Sequence, residues 1–99
     1  MKEFDLEGKV AIVTGAAGLI GGHHCSALAD AGAHVIACDL EGSKLEDFVA
    51  ELPGEHLAMS LDVTDEAALK AARNSILVRF GHIDILVNNA AINDMFENP

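Results

Sequence analysis

None of the 99 residues is tryptophan or tyrosine, two are proline, two are cysteine, and six Lys and Arg face sixteen Asp and Glu. Each shortage excludes something. The formal net charge of −10, with no local cluster of Lys and Arg, leaves no basic patch for nucleic acid or an anionic membrane. The acidity reads as solubility. Cys25 and Cys38 have neither metal-ligand nor redox spacing, so both are expected as small, reduced core side chains. The first apolar run, Val10 to Val13, is too short for a signal core or a membrane span. The expectation is a cytoplasmic protein with no membrane and no nucleic-acid partner.

What is present is aliphatic. Hydrophobic residues make up 51% of the chain and aromatics 4%, a mix suited to a parallel sheet covered by helices. The length allows one domain, residues 1–99, with a thin stability margin.

Short β-branched runs alternate with helical stretches. Lys9 to Thr14 predicts a buried first strand. A helix follows from about Leu19 to Ala31, with Ile20, His24 and Leu28 on one face and Gly32 as its stop. His34 to Cys38 predicts a second strand ending at Asp39. Ser43 is placed to cap a helix to about Leu52, before Pro53-Gly54. His56 to Leu61 predicts the third strand. Thr64 is the expected N-cap of a long helix on which Ala68, Leu69, Ala72, Ile76 and Phe80 recur at helical spacing until Gly81. Ile83 to Val87 predicts the fourth strand, and residues 92–99 a loop. The order implies an α/β fold, a doubly wound parallel sheet of Rossmann type with strands arranged 3-2-1-4, truncated after strand four.

Gly15, Gly18 and Gly21 stand where the first strand becomes the first helix. Gly15 would permit the tight turn, Gly18 the approach of a pyrophosphate, and Gly21 close packing of helix on sheet. The helix start then offers free N–H groups and a positive dipole end to phosphate. Asp39, after the second strand, is the acid expected to accept the adenosine ribose hydroxyls. A 2′-phosphate would set about −1.5 to −2 charge beside it. No arginine stands in the glycine turn or just after strand two, and only Lys44 is near Asp39 in sequence. NAD is favoured over NADP.

Three motifs now resemble the short-chain dehydrogenase/reductase family over nearly the whole chain. Gly-Lys-Val-Ala-Ile-Val-Thr-Gly at 8–15 resembles the family's opening strand. Asp62-Val63-Thr64-Asp65 is similar to its adenine-contacting segment, and Asn88-Asn89-Ala90-Ala91 to its Asn-Asn-Ala-Gly stretch. The resemblance implies an NAD(P)-dependent oxidoreductase that interconverts alcohol and carbonyl by hydride transfer. It gives Gly15, Gly18, Leu19, Ile20 and Gly21 to the pyrophosphate, Asp39 to the ribose, and Asp62 and Val63 to the adenine. Asn89 and Ala90 would line the wall near the nicotinamide-side ribose. The Thr-Gly-x-x-Gly-x-x-Gly spacing resembles an extended branch and Asn-Asn-Ala a compact one, while Ala91 stands where glycine is usual.

The family's catalytic Ser and Tyr-x-x-x-Lys lie beyond strand four, and no catalytic residue is assigned here. The chain alone is expected to be inactive, binding NAD, with a small-molecule substrate belonging only to a full-length parent. Two other readings stay open: a non-catalytic NAD-binding module or truncated fragment, and an acidic interaction domain without a nucleotide. No metal is expected, because His23, His24 and Cys25 are helix neighbours about 100° apart and cannot converge on one ion. His24 is read as a partly buried packing residue, Met59 and Phe80 as core, and Glu46, Asp47 and Glu51 as a solvated face. A sheet ending at strand four exposes that strand's edge, so self-association is expected.

Overall fold

The computed structural model describes residues 5–40 and 44–89. Four strands, β1 (Val10–Thr14), β2 (His34–Asp39), β3 (Leu57–Ser60) and β4 (Ile85–Asn88), alternate with three helices, α1 (Leu19–Asp30), α2 (Leu45–Ala50) and α3 (Glu66–Phe80). All pairings are parallel, in the order β3-β2-β1-β4. The registers pair Ala11 with both Val35 and Ile85, and Ile36 with Leu57.

Side-chain alternation along β1 and β2 sorts the core into two layers. Val13, Val35 and Ala37 join Cys25 and Ala29 of α1 and Leu45 and Val49 of α2 on one face. Val10, Ile36 and Cys38 join Ile76 of α3 on the other. Burial pushes the Cys25 thiol up to about 11 and the Cys38 thiol up to about 12, so both stay protonated and unreactive at neutral pH.

Several local expectations change. The buried stripe of α1 is Gly21, Cys25 and Ala29, one residue on from the expected Ile20-His24-Leu28 face. Ile20 points largely to solvent, whereas His24 and Leu28 are partly buried. The smaller stripe wins because it lets the helix axis approach the sheet. On α3, Ile76 is buried but Leu69 is exposed. The N-cap of α3 is Asp65, which accepts the Ala68 N–H at 3.1 Å, and not Thr64. Thr64 is instead held by Asp62, its N–H at 2.9 Å and its hydroxyl at 2.6 Å from Oδ1. Ser43 lies outside the described residues, and Lys44 occupies the N-cap of α2 without a side-chain bond.

His56 precedes β3 and uses its ring to brace it: Val35 N–H donates to Nδ1 at 3.0 Å, and Nε2 reaches Pro53 O at 2.7 Å. Asp84 precedes β4. Its Oδ2 accepts the Val10 N–H at 2.9 Å while its own N–H donates to Val10 O at 2.9 Å, aligning the starts of two strands 74 residues apart.

Candidate cofactor-binding site

The site grows from the end of β1. Gly15 has φ +65°, a left-handed conformation that turns the chain sharply off the strand. Two backbone donors fasten the turn to β2: Ala16 N–H to Cys38 O at 3.0 Å and Ala17 N–H to Asp39 Oδ2 at 2.8 Å. A Cβ on Gly21 would lie 2.1 Å from Gly15 O and 2.9 Å from Ala16 Cα, so only glycine fits there. Gly18 differs. Its φ of −74° suits any residue, and a Cβ would meet only Gly15 O, at 3.5 Å. The fold itself does not demand glycine at 18.

Gly18 is the N-cap of α1 and supplies no side-chain cap, and the first turn holds no acid. The first helical bond runs from Gly22 N–H to Gly18 O at 2.8 Å. The N–H groups of Leu19, Ile20 and Gly21 therefore have no acceptor within the helix. Leu19 and Ile20 are 79% and 65% exposed. An uncompensated positive helix end behind an open glycine fits a phosphate group.

The other expected residues arrive on the same rim, at the C-terminal ends of the strands. Asp39 ends β2; its Oδ1 accepts the Leu40 N–H at 2.7 Å, and its carbonyl accepts the Leu61 N–H at 2.8 Å. That bond carries the chain from β3 toward Asp62 and half-buried Val63. The Thr64 hydroxyl, then the Thr64 N–H, hold the Asp62 carboxyl below the usual carboxylate range. At the end of β4, Asn89 N–H donates to Thr14 O and to Thr14 Oγ1, both at 3.2 Å, while that hydroxyl donates to Asn88 Oδ1 at 2.8 Å. Ala90 lies outside the described residues. The structure thus gathers Gly15, Gly18, Leu19, Ile20, Gly21, Asp39, Asp62, Val63 and Asn89 along one edge of the sheet. Such an edge, where strand order reverses between β1 and β4, is where open α/β sheets hold ligands.

Three features were not legible in sequence. A cavity of about 410 Å³ opens beside the glycine turn between α1 and α2, lined by Ala17, Gly18, His23, Ser26, Lys44 and Phe48 among others. Lys44, near Asp39 in sequence, is therefore a neighbour of the glycine turn in space. The Asn89 side chain is bonded to His24, at 3.0 Å. Asp84 sets the height of β4 against β1, and so the position of Asn89.

The family model for short chain dehydrogenase matches residues 9–98. The chain belongs to the short-chain dehydrogenase family. It is 43% identical over 90 residues to fluoren-9-ol dehydrogenase of Terrabacter sp. (strain DBF63), covering 89% of this chain and 25% of that protein. It is 44% identical over 93 residues to D-threitol dehydrogenase of Mycolicibacterium smegmatis, covering 91% and 36%. A crystal structure of 3-ketoacyl-(acyl-carrier-protein) reductase from Brucella melitensis complexed with NADH superposes with a TM-score of 0.76 at 36% identity, over 83% of this chain and 34% of that one. The chain thus spans about a quarter to a third of the length of these relatives.

Proposed function

We propose that residues 1–99 form the cofactor-binding domain of an oxidoreductase that interconverts an alcohol and a carbonyl, with NAD as the preferred cofactor. The observation that carries this reading is the α1 N-terminus: uncapped, free of acids, and fronted by a glycine the fold does not need. The family's relatives support the reaction class, two being named as alcohol-type dehydrogenases, and the NADH complex of a relative supports the cofactor.

When bound, a nicotinamide supplies the hydride donor or acceptor. This chain's residues bind and orient. The first-turn N–H groups at Leu19, Ile20 and Gly21 take the pyrophosphate, with Gly15 and Gly18 giving it room. Asp39 accepts ribose hydroxyls on lone pairs left beside its two backbone bonds. Asp62 and Val63 border the adenine, and Asn89 and Ala90 the nicotinamide-side ribose. The Asp39 side chain disfavours a 2′-phosphate, and Lys44 across the α1–α2 cavity only partly offsets it.

The absence of tyrosine favours a second reading for the isolated chain, that of an NAD-binding module without turnover. Calorimetric titration with NAD and NADP tests the proposal. NAD binding with one site per chain, weaker NADP binding, and loss of both in Gly18→Val support it; no heat with either dinucleotide at millimolar concentration overturns it. Steady NADH production from added alcohols by the chain alone would dismiss the second reading. The same proposal includes self-association in a cytoplasmic setting: β4 is a terminal strand of the described sheet, and its Leu86 is 67% exposed. A monomeric mass in light scattering would contradict self-association.

A further inference from the structure

Asn89 is fixed from two sides. Its backbone N–H is shared between Thr14 O and Thr14 Oγ1, which ties it to the residue just before Gly15. Its side-chain Nδ2 lies 3.0 Å from His24 Nδ1, a part-buried contact between residues 65 apart in sequence. An amide nitrogen can only donate, so Nδ1 of His24 is the acceptor and the ring proton sits on Nε2. His24 stands on α1 beside the buried Gly21-Cys25-Ala29 stripe, one turn in from the glycine turn. Backbone bonds fix where Asn89 begins; they do not fix the rotation of its amide. The imidazole does.

We infer that His24 is a positioning residue that sets the orientation of the Asn89 amide at the β4 wall of the cofactor cleft. It acts through Asn89 and needs no contact with the cofactor. The inference rests on the cofactor reading above for its effect on binding, but the pairing itself is independent of any ligand. Losing the acceptor frees the amide to rotate or to flip end for end, which puts the Nδ2 donor where the Oδ1 acceptor stood. A single net hydrogen bond of this kind corresponds to about a 3- to 10-fold change in affinity.

The test uses the ¹⁵N-labelled 99-residue chain, unsubstituted and as His24→Leu, His24→Gln, Asn89→Ala and His24→Leu/Asn89→Ala. Without cofactor, His24→Leu should shift the two Asn89 side-chain amide signals toward each other and toward free-amide positions, and His24→Gln, which restores an acceptor oxygen, should largely return them. With NAD, His24→Leu should weaken binding about 3- to 10-fold, His24→Gln should recover most of it, and the loss should vanish in the Asn89→Ala background. Unmoved Asn89 amide signals in His24→Leu, or an NAD loss of equal size with and without Asn89, overturn the inference. Amide signals that move as expected in a chain that binds no NAD uphold the positioning and overturn the cofactor reading instead.

Discussion

The Asp39 carboxylate holds the Ala17 N–H at 2.8 Å, so the acid at the end of β2 braces the glycine turn at the end of β1. Its other oxygen accepts the Leu40 N–H at 2.7 Å. The residue proposed for the ribose is therefore also part of what shapes the phosphate turn, and the two halves of the site are mechanically joined.

Replacing Asp39 should show both roles. Asp39→Ala removes a charged acceptor from two backbone donors and should cost about 1.5 kcal/mol in stability. Amide exchange at Ala17 should accelerate and NAD affinity should fall about tenfold or more. Asp39→Asn removes the charge that disfavours a 2′-phosphate, so the NAD-to-NADP affinity ratio should drop even where total affinity does. A ratio unchanged in Asp39→Asn would remove Asp39 from cofactor choice.

The three glycines should separate by assay. In Gly21→Ala the new Cβ meets backbone at 2.1 Å, so denaturant melts should show a loss of about 3 kcal/mol or failure to fold. Gly18→Ala should cost about 1 kcal/mol or less and act mainly on NAD affinity. Equal destabilisation by both substitutions would contradict the division of roles.

His56 should matter through its ring alone. Pro53 O can only accept and Val35 N–H can only donate, so Nε2 is the donor and Nδ1 the acceptor of this ring. His56→Leu leaves the N–H of fully buried Val35 without that acceptor and should lower stability by about 1–3 kcal/mol. Its readout is the denaturation midpoint, together with the exchange rate of the Val35 amide. A midpoint and exchange rate like those of the unsubstituted chain would contradict the bracing role.

Acid should reveal Asp84. The Val10 N–H first, and then the His82 ring at 2.6 Å, hold its carboxyl below the ordinary value of 3.8. A carboxyl depressed in the folded chain contributes stability that is present above its ordinary value and lost as pH falls through the depressed one. Stability should thus decline with acid below about pH 4, and Asp84→Asn should flatten part of that slope. Glu55, bonded to Arg79, and Asp62, bonded to Thr64, shift the same way, so some slope should persist. An identical acid profile in Asp84→Asn would contradict the assignment.

Sheet order and the rim of site residues were legible because they follow from local signals: β-branched runs, glycine turns, and an acid or Asn at each strand end. Partners distant in sequence were not. Nothing near Asp84 announces Val10, and nothing near His24 announces Asn89; only the parallel pairing of β1 with β4 and the packing of α1 bring them together. The α1 face was misplaced by one residue because Ile20-His24-Leu28 and Gly21-Cys25-Ala29 share the same four-residue spacing. Close approach to Gly15 chose the smaller set. At α3 the cap moved from Thr64 to Asp65 because Asp62 had already taken the Thr64 hydroxyl and N–H.

The most direct measurement is NAD titration of the ¹⁵N-labelled chain followed by backbone amide shifts. Saturable changes should concentrate at Gly15 to Gly22, Leu40, Asp62 to Thr64 and Asn89, with the far ends of the strands, around His34 and His56, unmoved. No shifts at millimolar NAD, or shifts confined to residues away from that rim, would contradict the proposed cofactor site.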